Sequence, residues 1–176
     1  MNPRLLLIIV NLLGGVAVLA SYVQGTSSPH ATHGGIWGGV PEAIRGGYTV
    51  CMFAAAAGYF PFTWLFAFGC DPTRTRFGGR SLHLVTFFYG LVLVPSALWL
   101  PLTTAYLDAP SDGGWIAILT VLALAALGSL GLLRCLLQMT PRPTGRVRPI
   151  AITGCLAFCF QTVVLDAIVW TLLFPR

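Results

Sequence analysis

Asp166 lies in the stretch FCFQTVVLDAIVW, residues 158–170, where nearly every neighbour is apolar and Gln161 stands five positions before it. A carboxylate in hydrocarbon costs about 2.5–3.5 kcal/mol on insertion scales, so this side chain is expected to face other helices and not acyl chains. Three roles suit it there. It can lock helix packing through hydrogen bonds, line a pocket or carry a proton, or lie at an interface with another subunit. A rise of about 1.5 Å per residue puts Asn11, Tyr59, Ser96, Ser129 and Gln161 near the middle of their apolar runs, with Trp99 and Thr103 bordering the level of Asp166. Arg134 is a poor counter-ion, because it falls roughly 15 Å away in depth and is expected to snorkel to the boundary. Arg45, or a histidine of the first loop folded over the bundle, is the better candidate.

The other chemistry-bearing residues are sparse. His30 and His33 are spaced to reach one metal ion, but the loop offers no third ligand beyond Glu42, so no metal site is assigned. Of the five cysteines, Cys51 falls toward one end of the apolar runs, and Cys70, Cys135, Cys155 and Cys159 toward the other. No C-x-x-C motif supports thiol redox chemistry, and small buried apolar residues are the default reading, beside a metal held by the four. His83, at the start of a span, reads as an interface residue. No Ser-His-Asp order, H-E-x-x-H, Walker loop, G-x-G-x-x-G or pair of carboxylates falls on a suitable element, which argues against an enzyme. No cofactor is indicated.

These residues are carried by elements that the composition identifies. The 176-residue chain is 56% hydrophobic and 9% charged, with a mean hydropathy of +0.82, against about 25% charged in soluble domains. A helix needs about 20 apolar residues to cross a bilayer. Five stretches qualify, at about 5–22, 47–69, 83–107, 115–139 and 150–174, and together they predict an all-α polytopic bundle, one membrane domain over 1–176. Continuous apolar runs, not alternation, favour the helical bundle over a small β-barrel. Pro61, Pro95 and Pro101 fall inside spans and predict kinks. Arg4 followed by an apolar run and VLAS at 18–21 also resembles a secretory signal; Asn11, Gly14 and Gly15 favour a packed helix instead.

All ten cations are arginine. They flank the apolar runs and form no face of their own, so the +5 charge does not indicate nucleic acid. Five crossings place Arg4, Arg74, Arg76, Arg80, Arg142, Arg146 and Arg148 on one side, with Arg134 near it, and only Arg45 and Arg176 on the other. The positive-inside rule then makes the N-terminus cytoplasmic and the C-terminus external. Tyr22, Trp37, Tyr48, Tyr106, Trp115 and Trp170 gather at the outer boundary, where an aromatic belt is expected.

The first loop is the longest. In it, Pro41 and Glu42 read as the first turn of a helix, and the flanking glycines suit either a lid over an outer vestibule or a plain surface connection. Five spans, a long first loop carrying Trp37 and Pro41 in IWGGVPEA, and a small tryptophan-bearing chain give a layout that resembles the TspO or translocator family of tryptophan-rich sensory proteins. That resemblance implies a five-helix bundle with a pocket for porphyrin- or sterol-like molecules beneath the first loop. The chain departs from the family pattern W-x-P-P by having a single proline four residues after the tryptophan.

The resulting expectation is a multi-pass protein of the cytoplasmic membrane that binds or transports a small apolar ligand. The site would be an outer-half pocket bounded by Asp166, Gln161, Trp99 and Thr103 under the loop residues Trp37 and Arg45. The alternative is an accessory subunit whose small-residue faces, at Ala54 to Gly58 and Gly128 to Gly131, pack against another membrane protein or a further copy of the chain.

Overall fold

The computed structural model of the chain describes residues 2–32 and 35–175, with Thr32 described in its backbone only; His33 and Arg176 lie outside the described residues. Five helical crossings are long and apolar enough to span a membrane. They are α1 (Pro3–Thr26), α3 (Glu42–Ala67), α4 (Leu82–Asp108), α5 (Asp112–Leu137) and a composite fifth crossing, Val147–Leu173. The fifth starts as α6 (Val147–Cys159), continues as a π-helical segment (Phe160–Trp170) and ends in a short α turn, α7 (Thr171–Leu173). The first loop holds the short α2 (Pro29–Thr32) and a 3-10 turn (Gly35–Trp37). Strands β1 (Arg76–Phe77) and β2 (Met139–Thr140) pair antiparallel between the two arginine-bearing loops. The protein is therefore an all-α multi-pass membrane bundle.

Most helices outrun the apolar stretches that announce them, because hydropathy marks the hydrocarbon while caps mark the helix. Asn2 accepts from the Arg4 N–H at 2.9 Å with Pro3 in the first turn, and Ser111 accepts from the Gly114 N–H at 3.1 Å with Asp112 in the first turn. Both are standard N-terminal signals. Glu42 is the first residue of α3 itself, so the helix expected inside the first loop is the start of the second crossing, not a separate lid element. Pro61, Pro95 and Pro101 all lie inside helices.

The crossings form a ring in the order α1, α4, α5, fifth crossing, α3. Hydrocarbon offers no hydrophobic drive between helices, so close packing and interhelical hydrogen bonds must hold them. Gly58 of α3 meets Gly154 of α6 backbone to backbone: a Cβ on Gly58 would stand 2.5 Å from the Gly154 carbonyl oxygen. A Cβ on Gly14 would stand 2.8 Å from Leu93, so α1 lies close on α4, whereas Gly15 faces open space. The Tyr59 hydroxyl donates to Asn11 Oδ1 at 2.6 Å and closes the ring between α3 and α1.

Two cores fill the ring. At the arginine-rich end, Leu7, Phe62, Leu65, Phe66, Tyr89, Leu132, Leu136 and the thiols of Cys135, Cys155 and Cys159 pack together. At the opposite end, Tyr48, Tyr106, Trp115, Trp170 and Phe174 pack with Val40 of the first loop. Of these rings, Tyr48, Tyr106, Trp115 and Trp170 are expected from the sequence to anchor in an interfacial belt. Instead Trp170 is 2% exposed and Tyr48 and Trp115 6%, because enough large rings converge to bury one another.

Candidate functional site

The fifth crossing sets the site. In an α-helix, at about 100° per residue, residues five apart point about 140° away from each other. Bonds in a π-helix run from i to i+5, which stacks those residues on one face. The Phe160–Trp170 segment has this winding, and Gln161 Nε2 donates to Asp166 Oδ1 at 2.8 Å. The five-residue spacing is thus a single contact made by the local winding.

Two further elements complete the cluster. Tyr48 of α3 donates its hydroxyl to the Leu165 carbonyl and lies 3.3 Å from Asp166 Oδ1. One turn below, Thr162 Oγ1 lies 2.8 Å from Ser129 Oγ of α5, which in turn donates to the Ala126 carbonyl at 2.8 Å. Asp166 also lines a partly open cavity of about 40 Å³ between helices, with Tyr22 of α1, Pro95, Ser96 and Trp99 of α4, and Val121, Leu122 and Ala125 of α5. That volume holds about two or three waters. Two polar atoms beside the cluster are buried without a partner among the described residues, Trp99 Nε1 and Gln161 Oε1. Trp99 and Asp166 line this space, so a hydroxyl, an amine or water there can satisfy groups that the protein leaves open.

The structure brings Asp166, Gln161 and Trp99 together and separates the other expected members. Thr103 is fully buried but turns back along its own helix, donating to the Trp99 carbonyl at 2.8 Å. Arg45 does not pair with Asp166. Its guanidinium sits 5.7 Å over the Trp37 ring and its Nε donates to the Val40 carbonyl at 3.0 Å, so the loop satisfies it locally. The described first-loop histidine, His30, is also taken, by Asp108 at 2.8 Å. Arg134 is exposed, away from the cluster. Among the described residues the carboxylate meets hydroxyl and amide donors and no cation.

The first loop is docked over this end. Trp170 Nε1 donates to the Ile36 carbonyl at 3.1 Å, and Trp37 stands edge-on to Tyr48 at 5.9 Å. Gly38, at φ +56°, and Gly39 let the loop press on Phe174 and on the Leu173 carbonyl. A residue with a Cβ fits neither the left-handed backbone nor that approach.

Sequence reasoning assigned Tyr22 and Tyr48 to a lipid-boundary belt and so missed them as site residues. A signal was present for Tyr48, which shares a seven-residue register with Ala55 and Phe62, all three buried on one face of α3. The small-residue stretches are used largely within the bundle: Gly58 on Gly154, and Gly128 and Gly131 against Val92 and Phe88. Ala54, Ala56 and Ala57 remain exposed. No group of three or more His, Cys, Asp or Glu able to hold a metal occurs among the described residues. A scan of protein-family models, a search of curated proteins and a search of solved structures each find no match to this chain.

Proposed function

We propose that the protein lies in the cytoplasmic membrane with its N-terminus inside, and that it binds a small, mainly apolar molecule bearing one hydrogen-bonding group in the cavity beside Asp166. Support for the orientation is the arginine asymmetry between the two ends. The observation that carries the binding reading is an inward carboxylate on a cavity wall, with Trp99 Nε1 and Gln161 Oε1 unpartnered nearby. In this reading Tyr22 and Trp99 supply aromatic area, Asp166 fixes the polar group, and Gln161 and Tyr48 hold Asp166 in place. Thr103 positions Trp99 through its carbonyl.

The size of the cavity bounds the ligand. Pockets for drug-sized molecules span about 300–1,000 Å³, and this one has about 40 Å³ with the loop docked. Water, or the head of a slender molecule, fits as it stands. A porphyrin- or sterol-sized ligand, of the kind the TspO resemblance implies, requires the helices that wall the cavity, α1, α4, α5 and the fifth crossing, to part. Native mass spectrometry of the gently extracted protein and its Asp166→Asn variant tests the reading. Retention of a small molecule by the parent and its loss from the variant, at unchanged thermal stability, is the expected result. Equal retention with lowered thermal stability would assign Asp166 to packing alone. Co-purification of a larger protein, seen by sizing the same sample, would favour the accessory-subunit reading, for which Phe53, Phe60 and Trp64 on the exposed face of α3 remain available.

A further inference from the structure

The arginine-rich end holds a second recess, of about 170 Å³, lined by Gly69, Cys70, Asp71, Arg74, Thr75, Pro141, Arg142 and Pro143. We propose that it binds a phosphate group, carried by the headgroup of an anionic phospholipid or present as the free anion, with Arg74 and Arg142 as its ligands.

The argument rests on which arginines are committed and which are free. Arg4 Nη2 donates to the Cys70 carbonyl at 2.7 Å, just past the end of α3. Arg148 Nη2 reaches the Leu136 and Leu137 carbonyls, at 3.3 and 3.2 Å, at the end of α5. Arg76 Nη1 donates to the Thr73 and Thr75 carbonyls, at 2.9 and 3.0 Å. These bonds satisfy carbonyls that helix ends and turns leave open, and those of Arg4 and Arg76 stiffen the wall that runs from 69 to 75. Pairing of Arg76 with Thr140 and of Phe77 with Met139 joins that wall to the loop bearing Pro141 and Arg142. The frame is therefore built, and the two arginines on its rim are not part of its bonding. Arg142 makes no hydrogen bond among the described residues. Arg74 has only a distant partner, its Nε standing 3.8 Å from Asp71 Oδ2.

Guanidinium forks match phosphate oxygens two at a time, and the fit improves when the frame is rigid and the forks are free. Asp71 opposes an anion, but its Oδ1 is occupied by the Thr73 N–H and hydroxyl, at 2.8 and 2.7 Å. Those bonds hold its carboxyl below the usual carboxylate range, so the recess carries two cations against one anion. The negative end of α3 would also repel phosphate; Arg4 on the Cys70 carbonyl offsets it. Depth fits as well. Phe68, 60% exposed, marks the edge of the apolar surface beside the recess, and lipid phosphates lie just beyond such an edge, where anionic headgroups meet basic pockets.

The test uses the full chain in detergent, with phosphatidylglycerol and phosphatidylcholine supplied in equal amounts and adducts counted by native mass spectrometry; a parallel arm titrates inorganic phosphate without lipid. Two double variants are compared, Arg74→Gln with Arg142→Gln, and Arg80→Gln with Arg146→Gln. The second removes the same charge from exposed arginines at the same end. If a headgroup is the source, phosphatidylglycerol adducts exceed phosphatidylcholine adducts, fall about tenfold in the first variant and stay within about twofold in the second. Saturable binding of inorganic phosphate that displaces the lipid and is lost only in the first variant supports the recess with the free anion as its source. Equal losses in both variants, or no loss in the first, overturn the proposal.

Discussion

The two ends of the bundle solve the same packing problem with different side chains. At the arginine-rich end, phenylalanine, leucine and cysteine fill the ring, and its polar members are paired: Tyr59 with Asn11 at 2.6 Å and Thr63 with Tyr89 at 2.8 Å. At the far end the filling is tryptophan and tyrosine, the fifth crossing changes to π winding, and a cavity and unpartnered polar atoms remain. Rings at this end meet at mixed angles, Trp99 and Trp170 at 80° and 5.5 Å but Trp115 and Trp170 at 24° and 6.3 Å. Each indole there also brings an N–H that needs an acceptor. Tight aliphatic and phenylalanine packing and a ring-lined interior with a cavity are thus segregated along the apolar part of one short bundle, while the arginine-rich end keeps a recess and open polar atoms of its own, Arg4 Nε and Arg148 Nε, beside its packed core.

The largest effect that separates the halves is expected at Phe62, which is fully buried and lies 5.3 Å from Tyr59 and 5.8 Å from Phe158, ring to ring. Phe62→Ala should cost about 3–5 kcal/mol, read by unfolding in detergent. Trp99→Ala, beside the existing cavity, should cost less; a greater cost there would erase the distinction. A smaller loss is expected where backbones touch. Gly58→Ala forces a methyl toward the Gly154 carbonyl, costs about 1–3 kcal/mol and lowers the thermal midpoint. An unchanged midpoint would mean that α3 and α6 separate freely. The smallest effect belongs to Tyr48→Phe, which removes the donor to the Leu165 carbonyl and costs about 1 kcal/mol. Hydrogen exchange should quicken within Phe160–Trp170 and not within Val147–Cys159. Quickening along both would make the crossing one cooperative unit and weaken the contrast.

Length and hydropathy of the apolar runs were enough to establish five crossings and an all-α bundle, because a backbone in hydrocarbon must satisfy its own hydrogen bonds and the helix is the local way to do so. The inward turn of Asp166 was equally legible, since desolvation of a carboxylate depends only on its being among apolar neighbours. The partners were not. Gln161 reaches Asp166 because of a π winding that no residue type in FCFQTVVLDAIVW announces, and Arg45 abandons Asp166 because the fold of its loop puts Trp37 and the Val40 carbonyl nearer. Tyr48 was mistaken for a boundary anchor because depth can be counted along a sequence, whereas facing depends on which helix lies alongside. Burial cost is a property of one residue in its medium, and the sequence contains it; hydrogen-bond choice and cavity shape depend on which groups from distant segments meet, and those only the assembled bundle decides.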